Sequence, residues 1–524
     1  MNILKKISGL PLFVIFLTLY SILSFLSTNL SQVNLAAANR LLLAFGIGTV
    51  HLLLLVWRLT RNLNRVGVIV FIFLIIFYAY GHIKAFLRVN AHALSRNIIL
   101  FPISLTLFFG GLFLVSKLSQ DKLNRTTRYV NLACLILLFF PIGSLIVQEV
   151  RIAFYLRVYR ARVETNSIHP VAVDGALPDV YFIILDGYAR SDVLQQDLGF
   201  NNLNFLVGLR QDGFYVADCS MSNYAQTEQS MASTLNMDYL DELLSQVPAA
   251  AWNDGYFAPW IQHSLVRRFF DSLGYKTVSF YTGYYWAQWE DATYYFNDSS
   301  LNNSDPGSSS PNSGYILTSF EKTYLETTMV RGIFEIYQEL GLGTESSFLP
   351  PIADSRAVVL FPLDNLPEIA TLDGPKFTFL HLLLPHPPYV FGPNGEVREI
   401  VTDDFQTRLN AYVDQVRYAN SRILPLVDEL ITQNNGNVVI ILEGDHGLLD
   451  YQEPWTRMAN LSAYYFPDQD YSKLYPNITP VNSFRVLLSQ YFGQEYPLLP
   501  DNSYFSLTSV DKTMELIPNT CVGK

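Results

Sequence analysis

Five apolar stretches crowd the first 150 residues, roughly Leu10 to Thr28, Leu41 to Trp57, Val66 to Ala85, Ile98 to Val115 and Val130 to Val150. Each can cross a hydrocarbon core of about 30 Å as a helix, the form in which a chain satisfies its own backbone groups in lipid. A cleavable secretory signal would be one short segment with a processing site, so a series of five reads as a retained, polytopic bundle. Basic residues in the short loops set its orientation. With the N-terminus inside, the inner side holds nine (Lys5, Lys6, Arg58, Arg61, Arg65, Lys117, Lys122, Arg125, Arg128) and the outer side four (Arg40, Lys84, Arg88, Arg96). An odd number of spans then puts everything after Val150 outside, as the extracytoplasmic part of a multi-pass plasma-membrane protein.

Charge divides the chain at the same place. Residues 1–165 hold 17 Lys and Arg against 3 Asp and Glu, and the remaining 359 hold 18 against 43. The acidic body excludes nucleic acid, whose phosphates demand a basic face. The expected organisation is a transmembrane domain over 1–150, a juxtamembrane linker over 151–177 and an α/β domain over 178–524. Within the linker, "RIAFYLRVYRARVE" alternates arginine with aromatic and aliphatic residues. It suits a helix at the lipid interface and equally a helical extension between domains. Three cysteines imply no disulfide framework, although an oxidising exterior would allow Cys219 to pair with Cys521.

From Pro178 onward, short apolar runs alternate with helical periodicity, the pattern of a doubly wound sheet. The runs "VYFIIL", "KTVSFY", "KFTFLHLLL" and "NVVIIL" are apolar throughout, as central parallel strands covered on both faces must be. A long helix is expected over Asp404 to Thr432, where Phe405, Leu409, Tyr412, Val413, Val416 and Ile423 share helical spacing. "NDSSLNNSDPGSSSPNSG", 297–314, reads as a polar loop.

Loops at the carboxyl ends of parallel strands converge on one crevice. Three strand ends carry polar clusters: Asp186 to Arg190 in "LDGYARSD", His386 in "LLLPHPPY", and Glu443 to Gly447 in "LEGDHG". Taken singly, a strand-end Asp-Gly is a turn, and a histidine between prolines is an ordinary loop residue. Together, carboxylates and an imidazole at one sheet edge are what a divalent cation requires. The hydroxyl-rich "CSMSNYAQTEQSMASTLNM" reads as a loop entering a helix near Thr227. That helix start could seat a tetrahedral anion or simply carry an N-cap. Glu443 is either a partner of His446 or a solvated strand-end charge, the second being preferred. His381, inside an apolar run, reads as a structural histidine rather than a ligand.

These clusters together resemble the alkaline phosphatase superfamily in its sulfatase-like membrane branch, which includes lipoteichoic-acid synthases and lipid A phosphoethanolamine transferases. "GDHG" is the most specific element and the threonine loop the next, and the motifs run from Pro178 to about Pro467. The resemblance implies an α-helical transmembrane bundle of five spans followed by an α/β domain with a mostly parallel sheet. It implies one divalent metal ion (Mn, Zn or Mg) held by Asp186, Thr227, Asp445 and His446. It also implies Thr227 as the nucleophile of a phosphothreonine intermediate, and His386 and Arg457 as substrate-binding residues, with Arg190 beside them. Two features depart from the pattern. "CSMSN" lacks the Pro and Arg of the formylglycine signature, which disfavours sulfate-ester chemistry at Cys219. No histidine follows His446, which disfavours phosphoethanolamine as the transferred group.

The expected activity is metal-dependent hydrolysis or transfer of phosphate (or sulfate) esters. A membrane lipid or lipid-linked molecule would be the donor, and a surface glycan or other alcohol the acceptor. The alternative is a non-catalytic outer domain that keeps the fold and binds a glycan or a partner protein. A transporter is disfavoured, because His51 and His82 are the main ionisable groups within the spans.

Overall fold

The computed structural model describes residues 9–30, 33, 35–165, 177–245, 257–296, 317–342, 355–398, 404–449, 453–506, 514–519 and 521. The polar loop expected at 297–314 lies outside them. The chain forms two compact units, one of residues 1–151 with 310–353 and one of 152–309 with 354–524.

The first unit is helical: α1 (Phe13–Asn29), α2 (Asn39–Thr60), α3 (Leu63–Asn90), α4 (Asn97–Ser116), and α5 (Gln120–Thr165), which continues into the second unit. Four helices in this region, all but α1, are long and apolar enough to cross a membrane. The fifth expected span, α1, has 17 residues, the short end of the spanning range at a rise of about 1.5 Å per residue. Helix α3 is the hub: Val66, Val70, Leu74 and Tyr78, four residues apart along one face, are all buried.

Residues 310–353 lie far beyond the spans in sequence yet group with this helical unit. Their two helices, Ser319–Glu326 and Met329–Glu339, begin at threonine N-caps, the first with a capping box between Thr318 and Glu321. Tyr324 is fully buried, with its ring 5.5 Å from Phe25 and 5.3 Å from Phe45. Arg40 pairs with Glu321 at 3.1 Å, and Lys84 is bound by Glu335 and by Asn97 at 2.8 Å. Cations of α2 and α3 thus meet acids from the downstream chain.

In the second unit a seven-stranded sheet runs in the order β2-β7-β6-β1-β5-β3-β4. The strands are β1 (Asp179–Leu185), β2 (Tyr215–Val216), β3 (Lys276–Phe280), β4 (Tyr294–Phe296), β5 (Lys376–Leu382), β6 (Val438–Glu443) and β7 (Ser462–Tyr465). The four runs expected as strands are β1, β3, β5 and β6, and they pair parallel at the centre. At one end of the sheet β7 pairs antiparallel with β6 and with the edge strand β2, while the other edge, β4, is parallel to β3. Side-chain alternation sends Val180, Phe182 and Ile184 of β1 into one core, with Met231, Leu235 and Phe484. It sends Tyr181, Ile183 and Leu185 into the other, with Tyr412, Val416 and Ile423 of the long helix Phe405–Gln433.

Candidate metal centre

The same alternation that fills the cores places the chemistry. Ile184 of β1 is level with His381 of β5 and with Glu443 of β6. Residues 184, 381 and 443 therefore share a face, and a two-residue step carries that face on to Asp186 and Asp445 at the carboxyl edge. All four polar side chains are buried. Gly187 turns the chain after Asp186 at φ 73°, which favours glycine. Tyr412 braces this turn, accepting from Ala189 N at 3.0 Å and donating to Gly187 O at 2.8 Å.

Asp186, Asp445 and His446 each offer a ligand atom within 4.8 Å of the others. Thr227 is the first residue of the helix Thr227–Asn236, and its Oγ1 lies 3.3 Å from His446 Nε2. The structure thus brings together all four residues expected to hold a cation. Each carboxylate has one oxygen engaged. Asp445 Oδ1 accepts from Gly187 N at 2.9 Å, and Asp186 Oδ2 accepts from His381 Nε2 at 3.0 Å. Asp186 Oδ1 and Asp445 Oδ2 are buried without a hydrogen-bond partner among the described residues. They lie 3.6 Å and 3.3 Å from His446 Nε2. His446 Nδ1 donates to Gly447 O at 2.9 Å, which leaves the Nε2 lone pair facing the two bare oxygens. Buried, unsatisfied acceptors of this kind need a partner, and a divalent cation fits the set.

Electrostatics agree. Burial, reinforced by the charge of Arg457, pushes the His446 imidazole down to about 4 against the opposing pull of Asp445 and Asp186. It is neutral at pH 7, as a ligand must be. Burial alone would raise the Asp186 carboxyl, but the charge of His386, the His381 hydrogen bond and the charges of His381 and His446 outweigh it and hold the group below the usual range.

The substrate-facing residues separate. The His386 loop is clamped by buried Gln415, which accepts from Val390 N and donates to the carbonyls of Pro385 and His386 at 3.0 Å each. His386 Nδ1 faces Pro387 O at 2.6 Å, so Nε2 is the nitrogen that can meet a substrate. Arg457 is 4% exposed, donates from Nε to Ala225 O at 2.8 Å, and acts on His446 through its charge. Arg190 has another task. Its Nε and Nη2 grip Asp192 at 2.7 and 2.9 Å, and Nη1 donates to Ser220 O at 2.8 Å. In the described contacts it braces the threonine loop.

The threonine loop is held from both sides. Ser222 N donates to Met458 O at 2.7 Å. The C-terminal strap lies along it through Tyr504 N to Asn223 O (2.8 Å), Asn519 to Cys219 O (2.7 Å) and the Cys219–Cys521 disulfide. A disulfide-bonded Cys219 agrees with the absence of a formylglycine signature.

Three residues carry more than their sequence context suggested. Glu443 is not a solvated charge: it is 1% exposed and accepts from Ser483, from Tyr464 at 3.0 Å and from Ser462 at 3.3 Å. Burial lifts its carboxyl to about 7, those three hydrogen bonds opposing. Tyr284, after β3, is pushed up to about 12 by burial and then by the charges of Asp186 and Glu228. Its ring packs on Trp286, which in turn lies 5.8 Å from His381. The fourth strand end therefore supplies an aromatic wall, whose sequence signal is the density of "YTGYYWAQW". Gly447 is needed for close approach, since a Cβ there would sit 2.3 Å from Ala459 O and 2.4 Å from Thr456 O.

Residues 178–485 match the family model described as Sulfatase. No curated protein matches the chain in sequence. Among solved structures it is similar to the C-terminal periplasmic domain of EcEptC from Escherichia coli, at 13% identity and TM-score 0.40 over 67% of this chain and 96% of that one. It is similar to the integral membrane lipooligosaccharide phosphoethanolamine transferase A of Neisseria meningitidis, at 13% and 0.36 over 92% and 96%. It is also similar to the phosphonate monoester hydrolase of Agrobacterium radiobacter, at 14% and 0.37 over 63% and 80%. With the family model covering more than half its length, the chain belongs to the sulfatase family.

Proposed function

We propose that this protein is a multi-pass membrane enzyme whose α/β domain faces the outside. There it transfers a phospho-linked group from a lipid donor to a surface glycan or other alcohol, with Thr227 as nucleophile and one divalent cation (Mn, Zn or Mg) at Asp186, Thr227, Asp445 and His446. The observation that carries this reading is the convergence of two orphaned carboxylate oxygens, a neutral imidazole nitrogen and a threonine hydroxyl at one sheet edge. The orientation is supported by the excess of cations in the inner loops and by the pairing of Arg40 and Lys84 with acids of the downstream chain.

When bound, the cation would supply Lewis acidity that eases loss of the hydroxyl proton and offsets charge on the phosphoryl oxygens. Thr227 Oγ1 forms the bond to phosphorus and the bond to the leaving alcohol breaks, giving a phosphothreonine. The Thr227 proton is balanced by the one the departing alkoxide takes up. In this reading His386 Nε2 and the Arg457 guanidinium meet the phosphoryl oxygens, and the N-terminus of the helix Thr227–Asn236 adds its positive dipole. An acceptor alcohol or water then attacks phosphorus and returns Thr227 to its hydroxyl form.

The test uses the full chain in detergent with Mn and a chromogenic phosphodiester. Turnover is expected, with a mass increment on the peptide containing Thr227, and Thr227→Ala is expected to abolish both while Thr227→Ser keeps part of the rate. Undiminished turnover in Thr227→Ala would sink the nucleophile.

A further inference from the structure

We propose that His381 is a positioning residue that makes Asp186 a one-oxygen ligand, an inference that rests on the cation reading above. A carboxylate can bind a cation through one oxygen or two, and which it does depends on what holds the other. At Asp445 the backbone N–H of Gly187 takes Oδ1. Asp186 gains no such backbone donor from the turn it opens. Its own N–H goes to Leu382 O, and its Oδ2 is held by His381 Nε2 at 3.0 Å. The two acids are thereby matched, each with one oxygen tied and one bare toward His446 Nε2.

The position of His381 follows from the sheet. It is level with Ile184, one alternation short of Asp186 on the same face of the neighbouring strand, so the side chain must reach diagonally by one residue pair. A five-membered ring with a donor at its far atom spans that gap. Imidazole in an otherwise apolar strand is costly unless hydrogen-bonded, and the His381 side chain has no exposure at all. Its Nδ1 has no hydrogen-bond partner among the described residues, and the Trp286 ring packs 5.8 Å away. Asp186 can only accept, so Nε2 carries the proton, and the neutral tautomer suffices. The role is one of aim rather than acid-base work, and outer hydrogen bonds of this kind set ligand direction at metal sites.

The experiment compares the wild type with His381→Gln, which keeps a donor at similar reach, and with His381→Leu and His381→Met, two donor-less replacements. The full chain is titrated with Mn and with Zn against a competing chelator, after thermal unfolding in chelator has shown which variants fold. Wild type is expected to bind one equivalent. The donor-less variants are expected to bind about 10- to 100-fold more weakly, the range found when such outer partners are removed, and Gln within a few-fold of wild type. Their turnover is expected to recover at saturating metal, which a general loss of structure would not allow. Failure of the wild type to bind metal overturns the cation centre itself. Wild-type binding together with equal affinity in the folded donor-less variant, or a Gln variant as weak as Leu, overturns the role of His381 alone.

Discussion

Replacing Glu443 with glutamine should change how stability depends on pH far more than it changes the fold. Glu443 Oε1 accepts three hydroxyl hydrogen bonds, while Oε2 has no hydrogen-bond partner among the described residues. Protonated glutamic acid and glutamine present the same shape there, an acceptor at Oε1 and a neutral donor at the second position. With the carboxyl raised from 4.5 to about 7, the folded chain holds a proton between those values that the unfolded chain has released. The contribution is therefore fully present below about 4.5 and is lost as pH rises toward 7. At about 1.4 kcal/mol per pH unit, a window of roughly 2.5 units amounts to ~3 kcal/mol. Glutamine carries no such dependence. Between pH 5 and pH 8 the wild type should thus lose ~2 to 3 kcal/mol relative to Glu443→Gln, worth several degrees in Tm for a domain of this size. Five of the six tryptophans, all but Trp57, lie in the α/β unit, so intrinsic fluorescence during heating in chelator reports on the right body. Equal pH responses in the two proteins would show that Glu443 is ionised in the folded state and would refute the reasoning.

Two further outcomes follow from the site. Arg457→Ala should cut kcat by about 10²- to 10³-fold, the usual cost of an oxyanion donor, and Arg190→Ala should cut it far less. Both should lower Tm, since each guanidinium holds a carbonyl of the threonine loop, so steady-state kinetics on the pair would separate the roles. Gly447→Ala should weaken metal binding and lower Tm together, because the added Cβ displaces the carbonyls of Thr456 and Ala459 that hold the loop beside His446. A variant with wild-type affinity and melting temperature would show that this loop yields without cost.

Central parallel strands were legible because burial on both faces leaves continuous apolar runs, and each ends in the punctuation that carries chemistry. Edge strands were not, since Tyr215–Val216 and Tyr294–Phe296 are too short to show a period. The residues proposed to hold the cation could be read from strand ends for Asp186, Asp445 and His446 and from a helix start for Thr227. The hydrogen-bond partners of His381 and Glu443 could not, because both sit inside strands, where sequence shows a polar residue but not the neighbour that satisfies it. Nor does the sequence show that Asp192, two residues from Arg190, is close enough to hold its guanidinium. The segment 310–353 misled for a different reason: its amphipathic helices look like any others of an α/β domain, and nothing local says which body covers their apolar face.

That segment bears on how the enzyme can be handled. A fragment beginning after α5 would still contain Ser319–Glu326 and Met329–Glu339, now without the helices that bury Phe320 and Tyr324. It would also carry Glu321 and Glu335 without Arg40 and Lys84. Such a fragment would expose a greasy two-helix flap and invite self-association or detergent capture. A form without 310–353 would shed that flap.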